Sequence, residues 1–207
     1  NLLYISLVLA GLEEQSVERV GPEKAVLFPM LLIEEPEAHL HPALQFKLFE
    51  FIQDRIQQEE GSQQIFATTH STHITSATGL ESVVSLSENQ EGDITASYPG
   101  RVFGHVTEEV DGEKSKAYVE RFLDATKSTM LFAKGIILVE GISEQILIPT
   151  FAEQLDYPLA DEHVAVVAVG GSTFKHFLPL FGAMVEDSSL ALDRKVACLV
   201  DADPGRR

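Results

Sequence analysis

The sequence is poor in cysteine and has no tryptophan: Cys198 is the only thiol among its 207 residues. A single cysteine cannot form an internal disulfide, which agrees with a reducing, cytoplasmic environment. No apolar run approaches the roughly 20 residues that a membrane-spanning helix requires, and no basic-then-apolar leader opens the chain. We therefore expect a cytoplasmic protein without a membrane partner.

Basic residues are also scarce. The chain has 15 lysines and arginines against 32 aspartates and glutamates, which gives a formal net charge of −17. Because nonspecific affinity for nucleic acids comes from lysine and arginine, this balance argues against a general phosphate-binding surface. It does not exclude a nucleic-acid enzyme, since clustered carboxylates that hold divalent ions contribute to the same count.

The order of apolar and polar blocks predicts an α/β protein. Apolar runs predict strands over 25–33, 64–69, 81–86, 135–139, 163–169 and 196–200. Helical spacing predicts helices over 2–20, from Pro42 to before Gly61, and over 115–126, 142–155 and 173–186. Residues 87–115 are polar and irregular, and we expect a short hairpin or a connection there. Strands that alternate with helices indicate a parallel sheet covered on both faces, with sites beyond the carboxyl ends of its strands.

The first group of candidate site residues lies in "LLIEEPEAHLHP", where Glu34 and Glu35 end an apolar strand. An ATP site needs one carboxylate there to hold Mg²⁺, usually through water, and another to orient the attacking water. His70, in "TTHS", follows the next strand, where a histidine could contact a γ-phosphate. The alternative is a solvated acidic loop, and for Glu37 we favour that interpretation.

The second group comprises the ends of two later strands. "ILVEGISE" places Glu140 at a strand end and Glu144 in the first turn of the next helix, and "LVDADPG" ends in Asp201 and Asp203. A parallel sheet can bring these four carboxylates together, where hard divalent ions such as Mg²⁺ or Mn²⁺ would stabilise them. Two such ions can activate water and stabilise the leaving oxygen of a phosphodiester. Taken singly, a helix-start charge explains Glu144 and an Asp-Pro-Gly turn explains Asp203.

A weaker signal is "VGGSTFKHF", in which Gly170-Gly171 follows a strand and Ser172 or Thr173 could cap a helix. Such a loop can bind phosphate through backbone N–H groups, or it can be a plain tight turn. Lys175 and His176 could face DNA, but for both we predict a solvated helix surface. Four other histidines show no zinc-like spacing with cysteine and receive no role: His39, His73, His105 and His163.

The first group resembles the ABC-type ATPase heads of the SMC, RecF and OLD (overcoming lysogenization defect) families, with a Walker B pair, a D-loop region in "PEAHLHP" and a switch histidine. The resemblance implies that Glu34 assists Mg²⁺, Glu35 is the general base and His70 senses the γ-phosphate of ATP. Two departures are Glu34 in place of the commoner Asp, and His41 where many D-loops have Asp. The G-x-x-x-x-G-K-[ST] phosphate loop is missing from the sequence. Because the chain opens at Asn1 rather than methionine, we expect a piece of a longer protein, with the loop upstream and no ATP hydrolysis by this piece alone.

The second group resembles the Toprim domain, a Rossmann-like parallel sheet found in topoisomerases, primases, recombination mediators and OLD nucleases. Its hallmarks here are the glutamate of "VEG" and the two aspartates of "DAD". The additional Glu144 favours the OLD nucleases and implies a two-metal site. The resemblance covers nearly the whole chain and predicts the C-terminal part of an ATPase domain over 1–112, a connection over 113–133 and the N-terminal part of a Toprim domain over 134–207.

This family resemblance implies an ATPase-coupled, Mg²⁺- or Mn²⁺-dependent DNA endonuclease. Glu140 and Glu144 would bind metal, and Asp201 and Asp203 would bind or position the second ion and its water. It also implies a homodimer and leaves a helicase partner open. The main alternative is an SMC- or RecF-like ATP-dependent DNA clamp whose Toprim domain does not cleave. A topoisomerase or primase fits less well, because those enzymes do not place an ABC-type head directly before Toprim.

Overall fold

The computed structural model describes residues 30–58, 64–89, 91–124, 126–171 and 173–202, together with Leu7 and Gly11. The chain divides into two compact units, residues 1–77 and 78–207. The predicted helix over 2–20 lies outside the described residues, apart from those two isolated positions. Within the described ranges, no helix is both long enough and apolar enough to cross a membrane.

The first unit contains two strands and two helices in the described ranges: β1 Met30–Glu34, α1 Pro42–Gln58, β2 Gln64–Thr68 and α2 Thr72–Ala77. Strands β1 and β2 are parallel, with Glu34 opposite Thr68. Pro42 opens α1, a position where its missing N–H has no intrahelical partner to lose. The buried side chains of Leu48 and Ile52 pack α1 against the strands. The residues that follow the two strands therefore lie at one edge, as the sequence predicted.

The second unit contains a hairpin and a parallel sheet with its helices: β3 Ser85–Glu88, β4 Ile94–Ser97, α3 Gly112–Phe122, β5 Gly135–Val139, α4 Ile142–Gln154, β6 Val164–Ala168, α5 Phe174–Phe177 and β7 Lys195–Leu199. Short 3₁₀ segments connect them: Leu80–Ser82, Arg101–His105, Lys127–Leu131 and Leu178–Phe181. Strands β3 and β4 are antiparallel and form a hairpin that begins within the predicted strand over 81–86 and continues into the region where a hairpin or a connection was predicted.

The main sheet has the order β6-β5-β7, and all three strands are parallel. Val139 lies opposite both Ala168 and Leu199, so all three strands end at the same level. Ile136, Leu138 and Val139 of the central strand are buried, as expected for a strand with neighbours on both sides. This sheet confirms the predicted α/β class and places Glu140 and Asp201 just beyond neighbouring strand ends.

The core of the second unit includes residues from both its early and its late segments. Leu80, Val102 and Val119 belong to the same buried cluster as Leu138 and Phe177. Residues 80–131 therefore share a core with the parallel sheet. Shared packing does not define where a family domain begins, so the predicted limits at 112 and 133 stay predictions.

The predicted strand over 81–86 is wrong in its first half, where Leu80–Ser82 forms a 3₁₀ turn and β3 begins only afterwards. The backbone N–H of Leu80 donates to Glu120 Oε1 at 3.0 Å, and the N–H of Val83 donates to the Leu80 carbonyl at 3.1 Å. Because these bonds turn the chain, extended structure starts later than the apolar pattern indicated.

The predicted helix over 173–186 is also too long. Helix α5 ends at Phe177, and the 3₁₀ segment Leu178–Phe181 follows it. Pro179 has no N–H with which to continue an α-helical ladder. Gly182 then adopts a left-handed φ of 80°, which terminates the segment.

Candidate functional site

Glu35 and His70 meet at the carboxyl edge of the first unit. The backbone N–H of Glu35 donates to the Thr68 carbonyl at 3.1 Å and also approaches Thr68 Oγ1 at 3.2 Å. His70 Nε2 lies 3.6 Å from Glu35 Oε1, and the two side chains are 85% and 50% exposed. Glu34, the last residue of β1, is exposed one position earlier. The three residues predicted for an ATP site thus lie together and open to a ligand.

The backbone of Glu35 is unusual, with a φ of 40° in the region that residues with a side chain rarely adopt. Residues held in such conformations cluster at functional sites, where surrounding structure maintains them. Here the hydrogen bonds to Thr68 hold the turn. The unusual backbone conformation thus occurs at the residue whose carboxylate lies beside His70.

The interpretation of Glu37 as a solvated acid is wrong. Its Oε1 accepts hydrogen bonds from the Thr69 hydroxyl at 2.5 Å and from the His70 backbone N–H at 3.1 Å. Its Oε2 is buried without a hydrogen-bond partner among the described residues. Sequence reasoning missed this residue because its partners lie more than thirty positions away and meet it only through pairing of β1 with β2.

The second edge is formed by the ends of β5, β6 and β7. The backbone N–H of Asp201 donates to Glu140 Oε1 at 3.4 Å, and the N–H of Gly171 donates to the Glu140 carbonyl at 2.8 Å. Glu140 therefore contacts the segments that follow both neighbouring strands. The structure brings Glu140 and Asp201 together at this edge, as the sequence predicted.

Glu144 has a local role in the same turn. Its Oε2 accepts a hydrogen bond from the Gly141 N–H at 3.0 Å, the carboxylate half of a capping box at the start of α4. Asp203 lies outside the described residues. Among the described residues, no group of three or more histidines, cysteines, aspartates or glutamates is arranged to hold a metal ion. The predicted four-carboxylate metal site thus stays a prediction.

The oxygen donors at this edge suit a hard divalent ion in their chemistry. Glu140 and Asp201 both supply carboxylate oxygens, the ligand type that Mg²⁺ and Mn²⁺ prefer. The contact between the Glu140 carboxylate and the Asp201 backbone holds the two residues at neighbouring strand ends.

The loop after β6 is a tight turn. Gly170 and Gly171 have φ values of 81° and 75°, which glycine adopts readily. Thr173 is the N-cap residue of α5, one of the two positions predicted, but its hydroxyl donates back to the Val169 carbonyl at 2.8 Å and does not accept from the helix. Ser172 lies outside the described residues.

Lys175 is exposed as predicted, but the solvated position predicted for His176 is wrong. His176 Nδ1 lies 2.9 Å from the hydroxyl of buried Ser115, and its ring stacks on Tyr118 at 4.5 Å. Burial lowers the pKa of His176, and the nearby charges of Lys175 and Lys114 lower it further. The imidazole therefore connects α3 with the segment that follows the glycine turn.

Comparison with known proteins gives a family match in each of the two units. Residues 1–75 match the family model of the AAA ATPase domain. Residues 131–203 match the model of the overcoming lysogenization defect protein-like TOPRIM domain. These two matches contain all the candidate site residues identified above.

Similar proteins are named as nucleases. The chain is 26% identical to the OLD nuclease of Thermus scotoductus over 145 residues, which cover 68% of this chain and 26% of that protein. It is 26% identical to the Old nuclease of Escherichia phage P2 over 149 residues, 70% of this chain and 24% of that protein. It is 24% identical to Endonuclease GajA of Bacillus cereus over 156 residues, 75% of this chain and 24% of that protein.

The chain spans about a quarter of the length of these relatives, with coverage of 24–26%. Within that span, an AAA-type ATPase segment precedes an OLD-like Toprim domain. Both matched segments contain parallel strands in the structure, β1 and β2 in the first and β5, β6 and β7 in the second. The two family matches and the nuclease relatives thus support an ATPase–Toprim protein of the OLD type.

Proposed function

We propose that the chain is part of an ATP-dependent, divalent-metal-dependent endonuclease that hydrolyses phosphodiester bonds in DNA. The observation that carries the proposal is the contact of the Glu140 carboxylate with the Asp201 backbone at the carboxyl edge of a parallel sheet. The Toprim match over 131–203 supports it, as do relatives named as nucleases. The activity belongs to the whole protein, of which this chain supplies residues of both sites.

At the Toprim edge, Glu140, Glu144, Asp201 and Asp203 would hold Mg²⁺ or Mn²⁺. When bound, the metal would supply an activated water and stabilise the leaving oxygen of the phosphodiester. Glu140 keeps its position through its own backbone, because its carbonyl accepts the Gly171 N–H. Asp201 is exposed at the end of β7 and therefore accessible to substrate.

At the ATPase edge, Glu34 would assist Mg²⁺, and Glu35 would accept a proton from the attacking water. His70, whose Nε2 lies 3.6 Å from Glu35 Oε1, would contact the γ-phosphate. ATP would drive head pairing or DNA gating rather than cleavage. A homodimer, a helicase partner and a cytoplasmic location stay predictions.

The test is Glu140→Ala in the full-length protein. We expect metal-dependent nicking of supercoiled plasmid to be lost, while ATP hydrolysis continues at a rate close to that of the wild type. The matched control is Glu153→Ala, which removes an exposed glutamate from α4 of the same unit. Nicking by Glu140→Ala at the wild-type rate would show that the catalytic assignment is wrong.

The second candidate is an ATP-dependent DNA clamp with a non-catalytic Toprim domain. One observation favours it: the Glu144 carboxylate accepts a hydrogen bond from the Gly141 N–H at the start of α4. Plasmid incubation with Mg²⁺ or Mn²⁺ separates the two functions. ATP-dependent DNA binding without nicking in either metal would favour the clamp.

A further inference from the structure

A closed network of hydrogen bonds surrounds Glu37 in the turn that follows β1. Its Oε1 accepts from the Thr69 hydroxyl at 2.5 Å and from the backbone N–H of His70 at 3.1 Å. A carboxylate that accepts from both a hydroxyl and an N–H forms charge-assisted bonds, which are shorter and stronger than bonds between neutral groups. The turn after β1 is thereby attached to the segment after β2.

The network continues from Thr69 into α1. Thr69 Oγ1 accepts from the Ser71 N–H at 3.0 Å, and the Ser71 hydroxyl donates to Gln45 Oε1 at 2.5 Å. Gln45 Nε2 in turn donates to the carbonyl of Leu40 at 3.0 Å. Because Leu40 ends the turn that contains Glu37, the bonds return to their starting segment. Such a network resists displacement of any one member.

The side-chain contact between Glu35 and His70 is too weak to place the imidazole by itself. The two groups are exposed and 3.6 Å apart, and ion pairs between exposed side chains contribute little. The backbone of His70 is better held, because its N–H donates to a partly buried carboxylate. The backbone from which the His70 side chain extends is therefore held by Glu37.

We propose that Glu37 is a positioning residue for ATP hydrolysis, which holds the backbone of His70 so that the imidazole stays beside Glu35. This inference rests on the proposed roles of Glu35 and His70. In this role Glu37 contacts neither ATP nor the attacking water. Its effect on the reaction passes through the 69–71 segment.

The first experiment measures steady-state ATP hydrolysis by the full-length protein. We expect Glu37→Ala to lower kcat about tenfold or more, since small displacements of a catalytic group are costly. The KM for ATP should stay within about twofold, because Glu37 does not bind the nucleotide. Glu37→Gln should retain most activity, since the amide oxygen can accept the same two hydrogen bonds. The matched control is Glu50→Ala, an exposed glutamate on α1.

The second experiment is a double-mutant cycle with His70→Ala. If Glu37 acts through His70, then adding Glu37→Ala to His70→Ala should lower kcat by less than about twofold further. A merely structural role would reduce activity in both backgrounds equally.

Thr69→Val provides a second route if Glu37→Ala does not fold, because it removes the hydroxyl that donates to Glu37 while keeping the side-chain shape. We expect Thr69→Val to lower kcat in the same direction.

The outcomes separate this inference from the function on which it rests. Wild-type kcat in both Glu37→Ala and Thr69→Val, or the same loss in the His70→Ala background, would overturn the positioning role and leave the ATPase proposal intact. Absence of ATP hydrolysis by the wild-type protein would overturn both. A kcat loss that Glu37→Gln restores and that His70→Ala masks would support the inference.

Discussion

The imidazole of His176 illustrates how a single half-buried residue responds to pH. Its Nδ1 contacts the Ser115 hydroxyl at 2.9 Å, and Tyr118 covers one face of the ring. Burial is the largest cause that lowers the His176 pKa, and the charges of Lys175 and Lys114 lower it further. The folded protein thus binds a proton at this site less readily than the unfolded chain does. Below the ordinary histidine pKa, protonation therefore favours unfolding.

We predict that part of the acid sensitivity of the protein comes from His176. As pH falls from about 8 to about 5, the wild type should lose more thermal stability than His176→Phe, which keeps an aromatic ring but cannot be protonated. Thermal unfolding midpoints across that pH range provide the measurement. His105→Phe, in another segment of the same unit, is the comparison variant. Equal slopes for wild type and His176→Phe would contradict the prediction.

At the scale of elements, the segment after α5 depends on a backbone reversal at Gly182. The φ of this residue is 80°, a conformation that is costly for any residue with a β-carbon. A β-carbon built there would lie 3.2 Å from Ser188 Cβ and 3.5 Å from Ala191 Cβ. The backbone conformation therefore favours glycine, and a β-carbon would in addition lie tightly against Ser188. The reversal allows the chain to return to the sheet at β7.

We predict that Gly182→Ala lowers the free energy of unfolding by about 1–2 kcal/mol. The matched control is Gly104→Ala, because a β-carbon at Gly104 meets no atom within 4 Å and its φ is not positive. That control should change stability by less than about 0.5 kcal/mol. Chemical denaturation of both variants checks the difference. Equal stability of the two would show that the reversal at Gly182 is not strained.

At the scale of the whole molecule, the net charge of −17 opposes compaction, because like charges repel. Divalent cations can reduce this repulsion generally by screening and locally by binding to carboxylates. Only local binding depends on a particular residue. The two contributions can be separated with a monovalent salt of matched ionic strength.

We predict that Mg²⁺ or Mn²⁺ stabilises the full-length protein more than sodium chloride of equal ionic strength does. At a metal concentration about tenfold above Kd, the extra stability should be about 1.4 kcal/mol. Glu140→Ala should lose this increment and keep the effect of ionic strength. Thermal unfolding with each salt gives the comparison. The same increment in both proteins would place metal binding elsewhere.

The positions of the two strand edges followed from local sequence. Apolar runs ending at Glu34 and Val139 predicted strands β1 and β5, and acidic residues directly after them predicted polar edges. Alternation of strands with helices also predicted the parallel order, because a crossover helix joins parallel neighbours. The bounds of β5 were predictable because its consecutive side chains are apolar and largely buried, whereas the start of β3 was not, because hydrogen bonds turn the chain at Leu80–Ser82.

What the sequence by itself determined is therefore the α/β class and the placement of Glu35 and Glu140 at strand ends. Only the tertiary structure decided which distant groups those edges bring together. Glu37 meets Thr69 across 32 positions, and Ser115 meets His176 across 61. No local propensity encodes such hydrogen bonds, because they form only after strands pair and helices pack. The sequence determines which chemical groups each residue carries, but the folded chain determines which other residues those groups contact.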